Sequence, residues 1–182
     1  MSDFNIAMQV VIHHEAYQRP DGTWLYYANN INDRGGPTAW GISTLILNEE
    51  HITLASLGLA KMEDMTIQQA FSLYERLFWI PLGLGNIVEQ RVATKSLDLT
   101  VNFGKFGGTQ LIQTAANHMG RGLTIDGIMG PATIQAINQC EPNGLITELV
   151  NLSMARYTQI IQRDPTQAQF SKSWFGRAQW RG

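Results

Sequence analysis

Residues 2–16 read SDFNIAMQVVIHHEA, and this stretch decides the class of the fold. Ser2 and Asp3 are good helix N-caps, and Phe4, Met8, Val11 and Ile12 recur at the spacing of one helical face. An amphipathic helix from Phe4 to about Ala16 is expected. Glu15 falls on the same stripe, seven residues after Met8, four after Val11 and three after Ile12. A carboxyl on the buried face at a helix C-terminus is a candidate general acid. Burial and the negative end of the helix dipole both favour the neutral form that such an acid needs. The competing reading is a Glu whose stem carries its head to solvent from the last turn.

From Gln18 to Gly41 the composition shifts to Pro20, Asp21-Gly22, Asn29-Asn30, Gly35-Gly36 and Pro37 around Trp24-Leu25-Tyr26-Tyr27, which is the language of loops and a hairpin. Helical patterning then resumes. Thr66 and Gln69 can form a capping box for a helix running to Trp79, and Pro81, Gly83 and Gly85 end it. Further helices are expected near 89–103, 108–118, 131–139 and 145–162. The expected architecture is mostly α, with one small β-hairpin near the N-terminus and a compact helical lobe toward the C-terminus.

The whole chain sets limits on function. It has 182 residues, 44% hydrophobic and 15% charged, a globular composition that excludes disordered, collagen-like and mucin-like readings. A formal net charge of −2 argues against wrapping nucleic acid or coating an anionic membrane. Cys140 is a lone cysteine and reads as a small buried hydrophobe. His13 and His14 beside Glu15 do not make a His-Glu-x-x-His pattern, and His51 and His118 are isolated, so no metal site is expected. The run Ile6–Ile12 is too short to span a bilayer and lacks the basic flank of a signal peptide. Synthesis in the cytoplasm without a Sec signal is therefore expected.

Glycosidic cleavage needs a second group beside the acid, commonly Asp or Glu. Asp33 opens the run DRGGPTAWGIS, in which Thr38 and Ser43 offer hydroxyls that could hold a water; the alternative is a tight turn in which Asp33 caps its own backbone. Trp24, Trp40, Trp174 and Trp180 could stack on sugar rings or simply pack the core. Asp98 and Asn102, four apart, share a helix face and could reach a sugar, or cap and solvate that helix. Lys172, Arg177 and Arg181 make a small basic C-terminal end.

Four blocks in order carry a resemblance: His14-Glu15-Ala16-Tyr17; Asp33–Thr38 followed by Gly41-Ile42-Ser43; Leu97–Gly104; and Leu123–Thr133 with Asp126-Gly127-Ile128-Met129-Gly130-Pro131. The chain resembles the glycoside hydrolase family 108 lysozymes, muramidases found as phage endolysins and in bacterial toxin export. The resemblance implies a lysozyme-like, mainly α fold, with a catalytic region over 1–103 and a peptidoglycan-binding helical lobe over 104–182. It implies hydrolysis of the β-1,4 bond between N-acetylmuramic acid and N-acetylglucosamine, with Glu15 as acid and Asp33 activating a water held by Thr38 and Ser43. Tyr17, Trp40, Asp98, Asn102 and Asp126 would bind substrate. No cofactor, nucleic acid or membrane insertion is implied, the partner is bacterial peptidoglycan in the periplasmic wall, and a monomer is expected.

The family's usual Glu-Gly-Gly-Tyr is here Glu15-Ala16-Tyr17, and seventeen residues separate Glu15 from Asp33, about twice the usual interval. Asp21, closer in sequence, is a rival for the second catalytic group. A lytic transglycosylase and an inactive wall-binding protein remain alternatives. Phage lysis, toxin export and delivery as an antibacterial effector are all compatible with this chemistry.

Overall fold

The computed structural model describes residues 1–29 and 35–181. The chain is mainly α and gathers into two compact units, residues 8–77 and residues 78–182 joined by 1–7.

The chain opens with α1 (Phe4–Glu15), whose residues from Met8 onward belong to the unit of residues 8–77 and bury Met8, Val11 and Ile12. The helix is capped by Asp3, whose Oδ1 accepts from Ile6 N at 3.1 Å. Two small sheets follow where a single hairpin is expected. The run Trp24–Tyr27 pairs in both directions. β1 (Tyr17–Gln18) and β2 (Trp24–Leu25) form one antiparallel pair, while β3 (Tyr27–Ala28), β4 (Thr38–Ala39) and β5 (Ile42–Ser43) form the other sheet.

The β4–β5 turn has Trp40 at φ 53° and Gly41 at φ 80°, the pair of positive values that two-residue turns need to match strand twist. A tryptophan in this region costs about 1–2 kcal/mol. Three contacts offset it. Trp40 stacks on Tyr26 (4.5 Å, 13°), its Nε1 donates to Met65 O at 2.8 Å, and its carbonyl accepts from the Tyr74 hydroxyl at 2.9 Å.

Ser43 then caps α2 (Thr44–Glu49), its Oγ accepting from Ile46 N. The expected Thr66/Gln69 capping box is present at the start of α3 (Ile67–Tyr74). The helix expected to reach Trp79 instead widens into a π-type turn over Glu75–Trp79.

The other unit is built on α4 (Gln90–His118), which breaks at Gly104 (φ 75°, ψ 159°) and so corresponds to the two helices expected there. Gly108 explains the need for small residues after the break. A Cβ on it would lie 2.6 Å from both Leu99 O and Thr100 Cα. α5 (Pro131–Asn138) starts with Pro131 in its first turn, as expected. α6 (Pro142–Arg163) begins three residues before the expected Leu145, because the Glu141 carboxylate accepts from Asn143 N and Gly144 N and fixes the first turn. α7 (Ser171–Gln179) was not foreseen; its sequence is polar, but Trp174 stacks on buried Tyr157 (5.0 Å, 18°) and Ala178 is buried. α6 packs on α4 and α7, and Leu97, Ile112, Leu145, Leu149 and Tyr157 are among the buried residues of this core. No helix among the described residues is long and apolar enough to cross a membrane.

Candidate active site

Glu15 ends α1 half-buried, and the β4–β5 turn comes up against it. A Cβ built on Gly41 would stand 2.6 Å from Glu15 Oε2 and 2.8 Å from Glu15 Cβ, and would overlap the Tyr74 hydroxyl. Glycine is thus required twice at this position, by its positive φ and by the room the carboxylate needs. The Tyr74 ring is buried and its hydroxyl is anchored on Trp40 O, so the carboxylate, the phenol and the turn are held as one cluster.

Thr38 and Ser43 face each other across the β4–β5 pair. Thr38 Oγ1 donates to Gly36 O at 3.1 Å, and Ser43 Oγ accepts from Ile46 N at 3.2 Å. Each hydroxyl is therefore oriented by the backbone. A hydroxyl carries one donor and two acceptor sites, so both keep capacity for a water. Asp33 lies outside the described residues. Asp21 closes the β1–β2 turn. Its Oδ1 accepts from Thr23 N (2.9 Å) and Thr23 Oγ1 (2.7 Å), and these bonds, the side-chain one foremost, hold its carboxyl below the usual carboxylate range.

The aromatic residues divide. Tyr17 is exposed on β1, whereas Trp40 is buried with its indole N–H spent on Met65 O. Trp40 thus builds the turn and does not present a stacking face. Trp24 stands half-buried between His13 (5.0 Å) and Trp40 (5.5 Å). A cavity of about 460 Å³ is lined by Trp24, Leu25, Tyr26, Tyr27, Glu63 and Asp64. Periodicity could not reveal it, because Glu63 and Asp64 arrive from a separate 3₁₀ turn, Met62–Asp64.

Three candidates lie in the other unit. Asp98 is buried and ion-paired with Arg177 Nε at 2.8 Å, so its carboxylate is turned into the core and not toward a sugar. Asn102 donates to the hydroxyl of buried Tyr157. Asp126 accepts from Gln113 Nε2 (2.7 Å) and Ile128 N (2.9 Å), which lowers its pKa, the Gln113 bond most. Gln113 is the residue that sequence reasoning missed. Buried on α4, it also bonds Ile128 O and accepts from Gly127 N, pinning the whole 126–128 loop. Of the C-terminal aromatics, Trp174 is engaged with Tyr157. Cys140 is buried, its thiol donating to Ala136 O. Among the described residues no three His, Cys, Asp or Glu side chains converge as metal ligands.

The scaffold is mainly helical with Glu15 set against the β4–β5 turn, and the matched family models make the chain a glycoside hydrolase of the lysozyme type acting on peptidoglycan. The family model described as Glycosyl hydrolase 108 matches residues 8–104, so the chain belongs to that family, and the model described as Predicted Peptidoglycan domain matches residues 107–179. Among solved structures, SagA of Brucella abortus is similar at 22% identity with a TM-score of 0.72, over 96% of this chain and 88% of that one. That likeness concerns the fold. No curated protein sequence matches.

Proposed function

We propose that the protein is a muramidase that hydrolyses the β-1,4 bond between N-acetylmuramic acid and N-acetylglucosamine, with Glu15 as the general acid. The observation that carries this reading is the placement of Glu15 Oε2 against Gly41 and beside the Tyr74 hydroxyl. Glu15 gives its proton to the glycosidic oxygen as the bond to the anomeric carbon breaks, and the leaving sugar departs with a free hydroxyl. A water oxygen bonds to the anomeric carbon, and its proton passes to a carboxylate. Asp33 is the group assigned to take that proton, and the facing hydroxyls of Thr38 and Ser43 are assigned to orient the water. Tyr17 and the cavity walled by Trp24 and Tyr27 are the assigned sugar contacts in this unit.

The catalytic region is assigned to 1–103 and the wall-binding lobe to 104–182, and the protein works as a monomer on the wall in the periplasm. Parallel digests of purified peptidoglycan with wild type and Glu15→Gln, read by mass spectrometry, test the reaction. Reducing N-acetylmuramic acid ends from the wild type alone are expected. Anhydro ends would make it a lytic transglycosylase, and no soluble product would leave a wall-binding protein.

A further inference from the structure

A second cavity, of about 550 Å³, lies wholly in the unit that does not contain Glu15. Its size falls within the roughly 300–1,000 Å³ of small-molecule sites. Ile80, Met129 and Ile134 give it apolar walls, and Asn86, Gln135 and Gln139 bring carboxamides to them. None of the described residues lining it carries a charge. Ile80 is 65% exposed, a large aliphatic side chain left facing solvent at this cavity.

The walls are fixed before any ligand arrives. Asn138 on α5 accepts from Val88 N at 2.8 Å and donates to Asn86 O at 2.9 Å, tying the 86–88 segment to the helix. The side-chain amides of Gln135 and Gln139 make no hydrogen bond to other described residues and are exposed. Gly130 caps α5 at φ −95°, and a Cβ there would meet no atom within 4 Å.

This chemistry selects among the parts of a peptidoglycan strand. An acetamido group presents a methyl for Ile134 and Met129, a carbonyl that accepts from a carboxamide N–H, and an N–H that donates to a carboxamide oxygen. Stem peptides carry carboxylates and amines, and the lactyl arm of muramic acid carries a carboxylate or the peptide itself. Charges placed against these walls would find no counter-charge and would lose hydration.

We propose that this cavity binds the N-acetylglucosamine unit of the glycan strand and so anchors the enzyme to the wall through a site distinct from that of Glu15. The proposal rests on the reading of peptidoglycan as substrate.

The test is a titration of chitotetraose, a neutral oligomer of N-acetylglucosamine, into the full-length Glu15→Gln protein with labelled methyl groups. The Ile134 and Met129 methyl signals are expected to shift and saturate. Gly130→Leu, which fills the open space, should weaken that binding at least about tenfold. Gln135→Leu, an exposed change that leaves the walls in place, should weaken it less and serves if Gly130→Leu does not fold. De-N-acetylated tetramer and an isolated stem tripeptide should leave both methyls unmoved. Shifts confined to the surroundings of Trp24 and Ile42, an equal response to the stem peptide, or unchanged affinity in both variants would overturn the proposal. Digests of peptidoglycan by the wild type separate the two readings. Release of reducing ends without an Ile134 shift defeats this site alone, whereas an Ile134 shift without release defeats the muramidase reading alone.

Discussion

Gly41 leaves no room for a side chain beside Glu15: the position its Cβ would take is 2.6 Å from Glu15 Oε2. Because its φ is 80°, alanine there is strained even before the collision is counted. Gly41→Ala is expected to cost about 1–3 kcal/mol of stability and to displace the carboxylate, so that activity falls together with the urea midpoint. Glu15→Gln should lose at least about a hundredfold in rate while its urea midpoint stays at the wild-type value. A Gly41→Ala protein with wild-type rate and midpoint would show that the turn does not set the acid.

Asp21 and Asp33 can be told apart by substitution. The Asp21 carboxylate is occupied by Thr23 at the tip of an exposed turn. Asp21→Asn is therefore expected to digest walls at close to the wild-type rate, and Asp33→Asn to lose roughly a hundredfold or more. The reverse result in a turbidity assay would transfer the role to Asp21.

Asp98 and Arg177 form a pair buried to 2% and 11% side-chain exposure, and Lys95 Nζ stands 4.0 Å from the second Asp98 oxygen. Removing one partner strands charge in the core. Asp98→Ala should destabilise the protein by about 3–5 kcal/mol in urea unfolding, and joint replacement of Asp98 and Arg177 by Leu and Met should recover much of that. A loss below 1 kcal/mol would mean that water reaches the pair on mutation.

Lys95 gives a dependence on pH. It is fully buried, and its Nζ donates to Ala178 O at 2.8 Å and Arg177 O at 3.2 Å. Burial pushes its pKa down from 10.5 to about 8, against the opposing pull of Asp98. Between those values the unfolded chain holds a proton that the folded chain has released, so this group makes stability rise with pH. Relative to Lys95→Met, the wild type should gain up to about 3 kcal/mol between pH 8 and 10.5 and change little below pH 8. A difference that falls across that window would reverse the assignment.

Local signals in the sequence carried far. The α1 stripe, the Thr66/Gln69 box and Pro131 at the start of α5 all rest on neighbours within one or two turns, and all are present. The position of Glu15 at the end of that stripe was legible for the same reason. Asp98 was not legible as a core ion, because Arg177 lies 79 residues away and no periodicity connects them. α7 escaped detection because its helical order comes from Trp174 on Tyr157 and from Lys95 at its last carbonyls, not from its own polar sequence. For Trp40 the sequence left stacking on sugar and core packing both open, and nothing local tells that Tyr26, Met65 and Tyr74 engage its ring, its indole N–H and its carbonyl.

The break at Gly104 falls where the two family-matched segments meet, at 104 and 107, yet the helices on either side of it touch backbone to backbone at Gly108. The seam between the two modules is therefore a weld and not a tether. A C-terminal module exchanged between relatives has to bring a glycine at 108, where a Cβ would collide with Leu99 O and Thr100 Cα, and trimming the chain at the seam would strip α6 from α4.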